Sequence, residues 1–380
     1  MKKNLLLTPG PTQIPPYLCA ELGKPIIHHR TPQFQQAIKE VIDGLKFVMQ
    51  TKNDVFLFAS SGTGAMEASV CNLLSAGDKA ICVEGGKFGE RWTEICKAYG
   101  VMPVVIKVAW GKDVNPQELK KVLDANKDAK VVFITHCETS TGVTTNVKAV
   151  GEIVKDTNAV LVVDSISGLG VVDLKTDEWH ADVVVSASHK GFMLPPGVSF
   201  VSVSPKAYKL VEACKTPRYY FDFRKAKKAI EKIDTPFTPA IGIIIALQES
   251  IKRFKTEGLD PIFNYYAKLA KGARAAAKAL GLTLFPDESC MSNALTTINV
   301  PAGIDGEKVM KIMRDTYGVS VAGGQGDELK GKVIRMAHMG CVDEYDVLTG
   351  ISCLEKVLKE LGYQFTLGSG VAAAQKVFNE

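Results

Sequence analysis

Ala159-Val160-Leu161-Val162-Val163-Asp164 and Ala181-Asp182-Val183-Val184-Val185-Ser186-Ala187-Ser188-His189-Lys190-Gly191 are the stretches on which the reading of this chain turns. Each is an apolar, β-branched run that stops on polar residues. Neither shows the polar alternation of a strand with one wet face. Runs of this kind suit strands covered on both faces, as in a parallel sheet. Two such neighbours would deliver Asp164 and Lys190 to one edge. Ligands bind at the carboxyl edge of an open α/β sheet.

The same alternation of strand and helix runs through the first two-thirds of the chain. Strands are expected at 55–59, 79–83, 104–108, 130–135, 159–163, 181–186 and 200–203. Helices are expected at 31–49, 65–74, 90–99, 115–125 and 146–155. The first of these has Thr31 as cap and Pro32 at its first position. After about residue 255 the pattern changes. A long helix over 261–280 precedes strands at 295–300 and 332–337, with helices at 306–317 and 343–361. The expectation is an α/β fold with a large domain over 16–255 and a smaller C-terminal α/β domain over 256–380. The Pro-rich segment 1–15 is expected to line the cleft between them.

Composition narrows the class. The 380 residues exceed what one core usually holds. Forty-six basic and 41 acidic residues leave a net charge of +5, with one dense basic cluster, Arg224-Lys225-Ala226-Lys227-Lys228, best read as a solvated surface. No nucleic-acid or membrane partner is expected. Nine cysteines are scattered with no C-x-x-C pair, which suits buried thiols in a reducing compartment, the cytoplasm. Pro9 and Pro11 interrupt the apolar start too early for a signal peptide. No metal site is expected, since six histidines show no ligand spacing.

Polar residues gather at the ends of the expected strands. Ser60-Ser61-Gly62-Thr63-Gly64 joins a strand to a helix, where free N–H groups and the helix dipole attract anions. Phe88 follows another strand and could stack on a flat ring or simply pack. Thr135-His136-Cys137-Glu138-Thr139-Ser140-Thr141-Gly142 is either a site or a capped turn. Arg335 lies in an apolar strand and needs a partner, whether a structural carboxylate or the carboxylate of a substrate. A lysine able to form a Schiff base, with an aspartate able to hold a proton on a pyridine nitrogen, is the working pair of a pyridoxal 5'-phosphate (PLP) enzyme.

Taken as a set, the motifs resemble a family. They are Thr8-Pro9-Gly10-Pro11-Thr12, His29-Arg30-Thr31-Pro32-Gln33-Phe34, Ser61-Gly62-Thr63-Gly64-Ala65-Met66-Glu67-Ala68, Phe88-Gly89-Glu90-Arg91-Trp92, Thr139-Ser140-Thr141-Gly142, Val163-Asp164-Ser165-Ile166-Ser167, His189-Lys190, Pro195-Pro196-Gly197 and Ile334-Arg335-Met336-Ala337-His338-Met339-Gly340. Over nearly the whole chain they resemble the class V, fold-type I PLP-dependent aminotransferases, of the alanine–glyoxylate / serine–pyruvate branch.

The resemblance implies a large domain with a mainly parallel seven-stranded sheet. It implies Lys190 as the Schiff-base lysine and proton shuttle, and Asp164 as partner of the pyridinium nitrogen. Phe88 and Ile166 would cover the two ring faces, and Thr139 would reach the ring hydroxyl. Thr63, Gly64, Ala65 and His189 would surround the phosphate, with Thr238 supplied by the partner of a homodimer with shared sites. Arg335 and Gly10 would bind the substrate. Ala65 stands where some relatives carry His, and His189 where Gln is common, so no single substrate subgroup is matched. The expected reaction is transamination of a small amino acid, alanine or serine, with glyoxylate or pyruvate. The alternatives are aspartate as donor, a PLP lyase or cysteine desulfurase using Cys341, and a non-enzymatic accessory subunit of an oxidoreductase.

Overall fold

Long β-branched runs are stable only where apolar side chains meet both of their faces. The computed structural model, which describes residues 4–380, meets that requirement with one sheet. Its strands, in chain order, are β1 (Asp54–Phe58), β2 (Lys79–Glu84), β3 (Met102–Lys107), β4 (Ala129–Thr135), β5 (Val160–Asp164), β6 (Val183–Ala187) and β7 (Ser199–Val203). In space they run β1-β7-β6-β5-β4-β2-β3. Every residue of β5, β6 and β7 is buried. Alternate residues serve opposite faces: Leu161 and Val163 join one core cluster, Val160 and Val162 the other. Burying one such side chain contributes roughly 1.5–3 kcal/mol. The strands therefore hold a large reserve against the cost of charges placed at their ends.

Six of the strands are parallel; β7 is antiparallel to both β1 and β6. The reason is the connection. Residues 188–198 turn back as a loop with no crossover helix, and a parallel neighbour would need one. That loop carries His189 and Lys190.

Helices cover both faces. Pro32–Met49 and Ile241–Glu257 pack on one side; Gly62–Leu73 and Lys87–Ala98 pack on the other. Thr31 caps the first of these, its hydroxyl accepting the Phe34 N–H at 3.3 Å. Gly62–Leu73 begins three residues earlier than its apolar pattern suggests. Gly62 lies against the Ile166 side chain, where any Cβ would overlap it, so packing overrides the poor helix propensity of glycine. The helices Pro205–Ala213, Phe223–Ile230, Ile241–Glu257 and Ser369–Phe378 have no counterpart in the sequence-based expectation. The basic cluster lies on Phe223–Ile230, which turns Phe223 and Ala226 inward and its lysines to solvent or to Asp54.

A second sheet is antiparallel, β8 (Leu295–Asn299), β9 (Ala322–Gly323) and β10 (Val333–Ala337), in the order β8-β10-β9. The N-terminal segment ties this part to the Lys190 loop. Leu5–Leu6 pairs with Val319–Ser320, and the Leu7 carbonyl accepts the Ala337 N–H at 2.8 Å. Farther along, Thr12 donates its N–H to the His189 carbonyl (3.3 Å) and its hydroxyl to the Lys190 carbonyl (3.0 Å). Residues 1–3 of the expected cleft-lining segment lie outside the described residues. Among the described residues no helix is long and apolar enough to cross a membrane.

Candidate active site

Register brings the polar strand ends into one row. Thr135 on β4 pairs with Asp164 on β5, and Asp164 pairs with Val185 on β6. Lys190 follows β6 by three residues. Both charged groups are buried. The Asp164 carboxylate accepts the Ile166 N–H at 2.9 Å. Burial pushes its carboxyl up to about 7, against the pull of Arg91 and Lys190. The Lys190 ammonium donates to the Pro9 carbonyl. Burial lowers it to about 8, opposed by Cys137 and Asp164. An amine held there is readily available in its neutral, nucleophilic form. Gly10 lies directly on this side chain; a Cβ at that position would overlap Nζ, Cε and Cδ of Lys190.

Arg335 on β10 reaches the same cluster. It is buried, with Nε donating to the Gly323 carbonyl (2.7 Å) and Nη1 to the Thr139 carbonyl. No carboxylate pairs with it among the described residues. The structural ion pair weighed as one explanation for this residue is therefore absent. Burial lowers its guanidinium to about 10. Its second terminal nitrogen and one N–H of the first remain free to take a carboxylate side-on.

The remaining expected residues divide clearly. Thr63, Gly64 and Ala65 form the first turn of Gly62–Leu73, a helix start with no side-chain cap and no acidic residue. Gly64 is packed so closely on Ser60 and Phe221 that only glycine fits. The Thr63 hydroxyl accepts from Arg91 Nη1 at 3.2 Å. Arg91 also lies over the Phe88 ring, 4.8 Å from its centroid, and has no acidic partner among the described residues. His189 is held neutral by burial, which lowers it to about 4, and its buried Nδ1 has no hydrogen-bond partner. Ile166 and Thr139 are buried beside Asp164 and Arg335. Thr238 is not part of this cluster. It is exposed, on a surface segment beside Phe58, Ala59, Tyr220 and Phe237.

These residues fit PLP. An uncapped helix start with an unpaired arginine suits a phosphate. A buried aspartate without a cation suits a pyridinium. A buried lysine suits an aldehyde. Two residues with a place in this arrangement were not assigned roles from sequence, Glu138 and Arg91. Arg91 stands three residues after Phe88 on one helix, a spacing that puts both on one face and could have found it.

A two-faced, mainly parallel sheet with a lysine and an aspartate buried at its carboxyl edge is the fold-type I architecture of PLP enzymes. The chain belongs to the class-V aminotransferases, whose family model matches residues 12–336, and it is a PLP-dependent aminotransferase. It is 44% identical, over 99% of both chains, to a protein named soluble hydrogenase, small subunit, from Synechococcus sp. (strain PCC 6716). It is 37% identical to the L-aspartate–glyoxylate aminotransferase of Paracoccus denitrificans, covering 100% of this chain and 97% of that one. Identity to the serine–glyoxylate aminotransferase of Hyphomicrobium methylovorum is 35%, over 99% and 94%. The crystal structure of ureidoglycine–glyoxylate aminotransferase from Bacillus subtilis superposes with a TM-score of 0.96 at 27% identity, covering 100% and 99%.

Two expectations follow from this geometry. In the cofactor-free protein the Asp164 carboxyl is raised from 3.8 to about 7. Its contribution to stability is full below pH 3.8 and is lost as pH rises through 7. A shift of that size is worth about 4 kcal/mol. Cofactor-free Asp164→Asn should therefore gain stability over cofactor-free wild type as pH rises from about 4 to 8, measured by urea unfolding. Parallel pH profiles would refute it. Gly10→Ala should expel Lys190 from its position at a cost of roughly 1–3 kcal/mol. Pyridoxyl fixed on Lys190 by borohydride should then fall by about tenfold or more, while far-UV circular dichroism stays unchanged. Undiminished labelling would contradict the packing.

Proposed function

We propose that this aminotransferase passes the amino group of a small amino acid, alanine or serine, to glyoxylate or pyruvate. The carrying observation is Arg335, a buried guanidinium with a free edge and no protein carboxylate, in reach of the Lys190–Asp164 edge. Bound PLP supplies an aldehyde for the donor nitrogen and a ring that takes up electrons from the Cα–H bond. Lys190 would hold the cofactor through its amine and would carry the Cα proton. Asp164 keeps the ring nitrogen protonated. Phe88 and Ile166 cover the ring, and Thr139 serves its hydroxyl. Thr63, Gly64, Ala65 and His189 surround the phosphate, with Arg91 as added cation. Arg335 grips the α-carboxylate, with Gly10 as the floor beside Lys190.

Glyoxylate is favoured as acceptor because the aminotransferase relatives described above share it in their names. A single free-edged arginine suits a donor with one carboxylate. Aspartate is the second reading. It draws on the Paracoccus relative and on Arg91, a second cation without an acid partner. The bond from Arg91 to Thr63 favours a role at the phosphate instead. A desulfurase would need a nucleophilic Cys341, but burial raises that thiol's pKa, the wrong direction for a nucleophile. The hydrogenase-named relative brings in the accessory-subunit reading, against which Lys190 and Asp164 both stand in place.

The assembly in this reading is a cytoplasmic homodimer with shared sites, each partner lending Thr238 to the other's phosphate. Supporting it, Thr238 lies away from its own cluster among exposed apolar groups. Tyr219 is 73% exposed and stacks toward Phe237 with Tyr220, and Ile233 is exposed on the same segment. Exposed patches of this kind mark interfaces. Residues 16–255 would form the large domain and 256–380 the small one, closing over the substrate.

Two measurements test the reading. A panel of alanine, serine and aspartate against glyoxylate, pyruvate and 2-oxoglutarate should give the highest kcat/KM for a small donor with glyoxylate. Aspartate in first place, with the preference lost in Arg91→Gln, would instead establish the dicarboxylate reading. Arg335→Lys keeps the charge and loses the fork. It should bind PLP normally, yet its kcat/KM for amino acids should fall by about a hundredfold or more, while amines lacking a carboxylate change little. Equal losses for acids and amines would overturn the assignment.

A further inference from the structure

The helix Lys87–Ala98 begins without a cap of its own. Gly86 holds the N-cap position, has no side chain to offer, and the helix's first three N–H groups point toward the 138–140 turn. Glu138 and Ser140 take all three. Ser140 Oγ accepts the Lys87 N–H at 3.0 Å. Glu138 Oε2 accepts the N–H groups of Phe88 (3.0 Å) and Gly89 (2.9 Å). The other carboxylate oxygen, Oε1, accepts the Ser140 N–H at 3.1 Å and also its hydroxyl. Glu138 is 3% exposed and pairs with no cation among the described residues. Gly86 has to be glycine for this to occur, since a Cβ there would overlap Ser140 Oγ and Glu138 Cδ. The cap of one helix is thus provided by a buried carboxylate from the end of a neighbouring strand. Such a carboxylate is costly to bury and would ordinarily be replaced by a short polar cap at position 86.

We propose that Glu138 is a positioning residue for the cofactor ring, acting through Phe88. Phe88 stands second in the capped turn. The Oε2 bond to its own N–H fixes the backbone from which its ring projects, and the Arg91 guanidinium lies 4.8 Å from the ring centroid. A cap at position 86 would secure the helix without being tied to the cofactor edge. A cap from Glu138 ties Phe88 to the same turn that carries Thr139, one residue on. The stacking ring and the ring-hydroxyl contact then keep a fixed spacing. This rests on Phe88 stacking on PLP, as the proposed function has it.

The test is a double-mutant cycle on PLP binding, using Phe88→Ala, Glu138→Gln and the double variant. Glutamine keeps the size but turns one acceptor oxygen into a donor. Affinity is read from quenching of tryptophan fluorescence on titrating apoprotein with PLP. Ring orientation is read from the visible circular dichroism of the bound cofactor. Losing the stacking ring should weaken PLP by about tenfold. Glu138→Gln should weaken it several-fold and reduce the visible dichroic band. The double variant should lie within about twofold of Phe88→Ala, because both changes act through one contact. Losses that multiply, or a dichroic band unchanged in Glu138→Gln, would show that Glu138 merely stabilises the fold. Should Glu138→Gln not fold, Ser140→Ala removes the Lys87 bond of the same cap and enters the same cycle. Wild-type protein that fails to bind PLP at all would instead defeat the functional reading beneath this one.

Discussion

Asp164, Lys190 and Arg335 are buried together at one end of the molecule, and none is neutralised by an opposite side chain in ion-pair contact. Burying an unpaired charge is among the most expensive things a fold can do. The protein mitigates the cost in two visible ways. The pKa values move toward neutrality, upward for Asp164 and downward for Lys190 and Arg335. Backbone groups take the hydrogen bonds: the Ile166 N–H, and the carbonyls of Pro9, Gly323 and Thr139. What remains is a set of charges best satisfied by a ligand carrying their complements. The rest of the architecture follows from holding this set still.

The wholly apolar centre of the sheet makes that possible. Seven strands with their two cores provide a rigid platform whose carboxyl ends point the same way, apart from β7. The loop before β7 reverses the chain, and Lys190 lies at its start, just past the carboxyl end of β6. The N-terminal segment then crosses from the second sheet to cover Lys190, with Gly10 and Pro9 against its side chain. Arg335 comes from the opposite direction and is fixed to the Thr139 carbonyl. Lys190 and Arg335 are therefore each held by backbone carbonyls, that of Pro9 for one and those of Gly323 and Thr139 for the other. A change in how the second sheet sits on the first would reach both at once.

Much of this was legible in the residues. The β-branched runs at 159–164 and 181–187 read as doubly covered strands, with Asp164 at the end of one and Lys190 in the loop after the other. Thr31, Asn115 and Asn146 marked three helix starts because their side chains accept N–H groups two or three residues on. Other features lacked a local signal. The direction of β7 depends on a loop, and loops carry no periodicity. The start of Gly62–Leu73 is hidden by glycines that are there for Ile166 and Ser60. The place of Thr238, exposed and away from the Lys190 cluster, has no local signal either.

The sequence by itself determined the kind of sheet, the identity of the two central charged residues and the family, because these depend on local composition and on motifs of adjacent residues. Only the tertiary structure decided that Arg335 has no ion-pair partner, that Gly10 presses on Lys190, and that Glu138 caps the helix Lys87–Ala98, accepting the N–H of Gly89, 49 residues earlier in the chain. Each of these is a contact between segments far apart in sequence. Hydrogen bonds and close packing act over a few ångströms, and which distant groups come within that range is settled only when the whole chain has packed.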